Sequence, residues 1–152
     1  MIESLIERLQ TFQRTIPDII GEVIMENSND ILTNVKDSLW DGKAADGMDL
    51  MPFVSDPFFQ TPSQALGYMN WKNAAFPNPN RNPASPNLYI NGYFYSTLEV
   101  EVTSEEFMVL SKDNLLGRDV INKYGIETFG VTDAFYNDVL RTEIINRLIQ
   151  RI

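Results

Sequence analysis

The chain has 152 residues, 43% of them hydrophobic, and contains neither cysteine nor histidine. That length supports one core without staples, while the missing residue types exclude a disulfide framework, thiolate chemistry and the usual general base near neutral pH. A formal net charge of -9 argues against autonomous binding to a phosphate backbone.

The charge is unevenly spread. Residues 1–60 hold 11 acids and 4 bases, residues 61–110 hold 4 and 2, and residues 111–152 hold 6 of each. An acidic front and a neutral back suit head-to-tail packing of identical subunits. No stretch approaches the roughly 20 apolar residues of a membrane-spanning helix. Glutamates inside the apolar pattern of "MIESLIERLQ" are unlike a signal peptide.

Ile2, Leu5, Ile6, Leu9 and Phe12 recur at helical spacing. Thr15 and Pro17 suit the start of a second helix, whose apolar face continues from Ile20 to Val35 across the polar stretch "MENSND". The alternative is one long helix kinked at Pro17. Asp41-Gly42 and Asp46-Gly47 are turn pairs leading to an extended segment, Leu50 to Val54. They do not make a calcium loop, because Lys43, Ala45 and Pro52 stand where ligands are required.

Thr61 and Pro62 open a helix with Ala65, Tyr68, Met69, Lys72 and Phe76 on one side, widened by Trp71 and Ala75. "PNPNRNPASPN" follows, with four prolines in its first ten residues. It reads as a loop, exposed in the monomer and ordered mainly by neighbours, since little in it is apolar. In "NLYINGYFYSTLEVEV" the alternation begins with Leu88 and Ile90, fails at Gly92, and resumes from Leu98 to Val102 as a strand. Gly92 is expected at a turn, with its aromatic neighbours mostly buried. "TSEE" turns the chain into a return strand, Phe107 to Leu110. A short helix stops at Gly125, and "IETFG" reads as a compact strand or extended element ending at Gly130. Thr132 and Asp133 start a final helix whose wide apolar face runs from Phe135 to Ile152. The fold class is α+β: an antiparallel hairpin or small sheet packed against N-terminal and C-terminal helices. One domain over residues 1–152 carries an inserted helix and Pro-rich loop at about 57–86.

The residues that carry chemistry are sparse. Asp41, Asp46, Asp49 and Asp56 sit in one loop region without the fixed separation that paired carboxylates need. There is no phosphate-binding loop and no nucleophile elbow. No catalytic residue, metal ligand or cofactor site is assigned. Tyr89, Tyr93, Phe94 and Tyr95 could stack on sugars or bases. Between Arg81 and Lys112, however, four glutamates intervene and no Lys or Arg occurs, the wrong sign for a nucleic-acid platform. These rings instead suit a packing anchor or a subunit contact.

"LWDGKAADGMDLMPF", "NLYINGYFYSTLEVEV" and "INKYGIETFGVTDAF" occur here in order, followed by a terminal helix. Together they resemble tailed-phage proteins of the head–tail joining, neck and tail-completion class, also called virion morphogenesis or minor tail proteins. Similar proteins occur in phages of gut Bacteroidales, including crAss-like phages. The stretch from Pro57 to Pro86 departs from that pattern. The resemblance implies a non-catalytic virion part, made in the host cytoplasm, forming a homo-oligomeric ring beside portal, neck or tail proteins. It implies no sequence-specific nucleic acid and no membrane. Contact candidates are then Tyr89, Tyr93, Tyr95, Pro79, Arg81 and Pro83; Gly42, Gly47, Gly92, Gly125 and Gly130 shape turns. The competing readings are an acidic inhibitor or decoy that covers a basic surface and a carbohydrate-binding module.

Overall fold

The structure, a computed structural model, describes residues 2–103 and 106–151. Part of the expected "TSEE" turn, Ser104 and Glu105, and the last apolar residue, Ile152, lie outside the described residues. The chain is α+β. Its elements are α1 (Ile2–Glu26), α2 (Ser28–Trp40), α3 (Pro62–Ala75), α4 (Tyr93–Ser96), β1 (Leu98–Val102), β2 (Phe107–Ser111), α5 (Asn114–Tyr124), α6 (Asp133–Phe135) and α7 (Arg141–Gln150).

The break in the first helical region falls at Asn27, not at Pro17, which lies inside α1. Asn27 turns its own side chain into the structure. Its Nδ2 donates to the Val23 carbonyl at 2.8 Å and to Glu143 Oε2 at 2.7 Å. Beyond it, α2 presents Ile31, Val35 and Leu39 at i, i+4 and i+8, each 0% exposed. Burying each such side chain contributes about 1.5–3 kcal/mol. Asn34 on α2 holds the start of the last helical region from both sides. Its Oδ1 accepts from the Thr132 N–H at 2.9 Å, and its Nδ2 donates to Thr132 Oγ1 at 3.2 Å.

The hairpin forms as the alternation predicts. β1 and β2 pair antiparallel with Leu98 opposite Ser111, Val100 opposite Val109 and Val102 opposite Phe107. Leu98 and Val109 join the core. At the open end, Thr97 Oγ1 and Ser111 Oγ share a buried hydrogen bond of 2.7 Å.

Three expectations are corrected. Leu50 to Val54 is extended only in its first part: Pro52 is extended, but Phe53–Ser55 is a 3-10 turn, with Phe53 buried. "IETF" is also a 3-10 turn, closed by the Thr128 hydroxyl donating to the Gly125 carbonyl at 2.7 Å. Its one strong backbone tie to another segment runs from Ala45 N–H to the Glu127 carbonyl at 2.9 Å, too little for a ladder. The closing helix is interrupted by a π turn, Tyr136–Leu140, between α6 and α7. The Thr142 hydroxyl donates to Asn137 O, five residues back, at 3.3 Å. Within that turn Leu140 is 0% exposed.

Gly92 does sit at a turn, with φ of 83°, and caps α4 rather than leading straight into the strand. A Cβ there would stand 3.4 Å from the Tyr89 ring. Gly92→Val should therefore lower stability by about 1–3 kcal/mol; a melting temperature equal to wild type would contradict this account of the turn.

Candidate assembly surface

α1 is buried only at Ile19, Val23 and Ile24. Every residue from 2 to 11 is exposed. The helix therefore leaves the body as an arm over residues 2–16, roughly 22 Å long. Ile2, Leu5, Leu9, Phe12, Ile16, Ile19 and Val23 alternate at spacings of three and four, the repeat of a helix-packing seam. Ile6 widens the seam on one side. Along the arm Ile2 is 75% and Leu9 57% exposed. Glu3, Glu7, Arg8 and Arg14 balance there, so the arm is neutral and the rest of the chain carries the net charge. The body end of α1 is clasped to α7. Arg147 meets both Glu26 oxygens, at 2.9 and 2.7 Å, and Arg151 reaches Glu22 at 3.2 Å. The Arg147 hydrogen bonds hold Glu26 below the usual carboxylate range.

The residues expected at contacts are not brought together on one surface. Tyr95 is buried and donates its hydroxyl to the Asn87 carbonyl. Tyr89 is half-buried and meets Trp40, Phe76 and Tyr95 edge-on, with centroids 5.3 to 5.4 Å apart. Tyr93 is exposed and bonds to Asp113 at 3.0 Å. The rings continue through Phe94 to Phe129 at 6.0 Å and, from Phe76, through Trp71 and Tyr68 to Phe53. Edge-to-face packing of this kind rigidifies a core, while Phe58, Tyr93 and Trp71 stay exposed. Trp71, expected to widen the buried face of α3, is 49% exposed, and Ala75 is exposed too.

Pro79 and Pro83 are exposed, but Arg81 is only 4% exposed and so presents no contact surface. The loop is tied down by polar groups rather than by neighbours, contrary to the expectation from its composition. Arg81 donates to the Ser85 carbonyl at 2.6 Å and to Asn73 Oδ1 at 2.8 Å. Asn78 reaches the Trp40 carbonyl at 2.9 Å and Asp41 at 2.8 Å. Gly42 accounts for the fit: a Cβ on it would meet Arg81 Cγ at 2.9 Å, and its φ is 70°. Gly47 and Gly125 also turn the chain at positive φ. Gly130 does not; it admits Ala45, whose Cβ would lie 2.7 Å from an added Cβ.

The four loop aspartates are spent separately. Asp41 accepts from Asn78, Asp46 from the Met48 N–H, Asp49 from Lys43 at 2.8 Å, and Asp56 pairs with Lys123 at 2.7 Å. Among the described residues no group of three or more acidic residues could hold a metal ion.

Sequence reasoning missed two features. The strict three-four spacing of the arm was its visible signal. The other is Lys72, a charged residue on the apolar side of α3, which is 2% exposed. Among the described residues no carboxylate lies within salt-bridge distance of it. Burial, and then the charge of Arg81, lowers its pKa to about 8. The chain matches no protein-family model, no curated protein and no solved structure.

Two outcomes are expected. Arg81→Ala removes charged hydrogen bonds to two partners and should lower stability by about 1.5–3 kcal/mol, with faster proteolysis at residues 77–86. Unchanged melting and cleavage would contradict the polar tether. Lys72 is held below its unfolded value of 10.5, so the unfolded chain binds more protons between about pH 8 and pH 10.5. Stability should rise with pH through that window, by about 3 kcal/mol for this group. Subtracting the same titration of Lys72→Met isolates it, and a flat difference would refute the shift.

Proposed function

We propose that this chain is a non-catalytic structural subunit that assembles with copies of itself, as a ring at the head–tail connector or in the tail of a phage particle. The observation that carries the reading is the unpartnered arm. A helix of that length is marginal alone in water, and its seam is exposed at Ile2, Leu5 and Leu9 and half-buried at Phe12 and Ile16. A second copy supplies the matching seam. Ile6 beside the seam gives the wider apolar face used in bundles rather than the narrow stripe of a two-stranded coil, so arms packing side by side in a ring satisfy it.

Charge favours the same partner. Two bodies of net negative charge repel, and the neutral arm is where they approach at least cost. An acidic inhibitor would instead place its contact surface among its carboxylates. A carbohydrate module would use exposed ring faces, and of the aromatic cluster at 89–95 Phe94 and Tyr95 are buried and Tyr89 half-buried. The resemblance of the segment order to that of phage joining proteins motivates the virion placement, and an acidic ring lets DNA pass without adhering.

The double variant Leu5→Glu, Leu9→Glu tests the arm. Wild-type protein should associate as its concentration rises in sedimentation, while the double variant stays monomeric with its main melting transition unchanged. Identical sedimentation of the two would remove the arm from the assembly. Immunogold labelling of virions tests the placement: decoration at the neck or tail supports it, and decoration of the capsid lattice, or none, refutes it.

A further inference from the structure

A cleft of about 460 Å³ opens between the Phe53–Phe59 segment, α3, α4 and α5. Its walls include Phe53, Phe59, Tyr68, Leu88, Phe94 and Val120, with Lys72 among them. That volume lies within the range of small-molecule sites, which pair apolar walls with a few fixed polar groups.

The charges are unusual for such a wall. Lys72 is 2% exposed, and among the described residues its ammonium has no hydrogen-bond or carboxylate partner. The face of the Phe76 ring lies 4.8 Å from the nitrogen, a cation–π contact. Arg81 adds a second buried cation nearby without a carboxylate of its own. The other charged lining residues, Asp56 and Lys123, neutralise each other at 2.7 Å, and Asp56 also accepts from the Phe58 N–H. A buried charge is ordinarily paired. The same wall is strained: Leu88 has φ of 57°, the one positive value outside glycine among the described residues. Beside it, Asn87 is 0% exposed with an unpartnered Nδ2. Strain and unmet polar groups of this kind cluster at binding sites.

We infer that this cleft binds a small monocarboxylate on an aliphatic or flat aromatic stem, with the carboxylate against Lys72 and the stem along the rings. One unpaired ammonium matches one negative charge, and the paired Asp56 and Lys123 add no further net charge to the wall. With a pKa of about 8, Lys72 is largely charged at neutral pH and gains a partner when the acid enters. A free small acid fits better than an acidic side chain of a protein, because Lys72 as a residue is only 2% exposed and a short side chain would bring bulky backbone to the rings. The inference is independent of self-assembly, since the arm contributes no wall of the cleft.

Decanoate below its micelle concentration is a suitable probe, with decanol as the uncharged control and methyl NMR to locate each. Decanoate should bind at least tenfold more tightly than decanol and shift the methyls of Leu88, Leu116 and Val120. Lys72→Met, which removes a buried charge and should melt no lower than wild type, should abolish the preference. Leu116→Trp, which fills the cleft without touching the charge, should abolish binding of both. Equal affinities in wild type, shifts confined to Ile2, Leu5 and Leu9 on the arm, a preference surviving Lys72→Met, or full binding by Leu116→Trp would each overturn the assignment.

Discussion

Ile31, Val35 and Leu39 on α2 are sealed from water, and the remaining elements are placed by what seals them. The end of α1, the hairpin and the Ile126–Phe129 turn each pack on α2. Two asparagines at its ends of the core, Asn27 and Asn34, bond to Glu143 and Thr132, more than ninety residues away along the chain. Apolar burial supplies the driving force here, and the amides fix which C-terminal turn meets which side of α2. Such polar ties contribute little net energy beyond their exchange for water, but they discriminate between registers.

Much of this was legible in the sequence because local chemistry decided it. Thr61, Thr132 and Gly125 punctuate helices by side-chain capping or by freedom at positive φ, and neither depends on distant residues. The hairpin alternates because one face is wet. What failed depended on tertiary contact. "IETFG" has the composition of a strand but no strand beside it to pair with. The proline-rich loop looks untethered because its tethers are Arg81 and Asn78, polar residues that composition assigns to solvent. Pro17 looks like a boundary, yet the helix runs through it and stops at Asn27, where an amide can satisfy the carbonyl of Val23. Of the candidate contact residues, Arg81 and Tyr95 are interior, and burial of a side chain among others is not a property of its neighbours in sequence.

The aromatic residues show the same dependence on three dimensions. Read linearly, Tyr89 to Tyr95 is a cluster; folded, its members divide between core, half-buried wall and surface. Trp40 and Phe76, distant in sequence, complete the packing around Tyr89. Lys72 then becomes intelligible as the place where this ring system encloses a charge. The acidic character of the chain, by contrast, is mostly a surface property; among the described residues neither buried Lys72 nor buried Arg81 has a salt-bridge partner, while buried Asp56 pairs with Lys123.

Pro17 has no amide hydrogen, so the Gln13 carbonyl loses its helical donor at the point where α1 leaves the body. The junction is thus also a boundary in cooperativity. The turns before it can melt and re-form on their own timescale without drawing on the core, and the order of the arm becomes a thermodynamic variable separate from the fold. A chain built this way can hold its body folded while the first helical turns form and break independently of it.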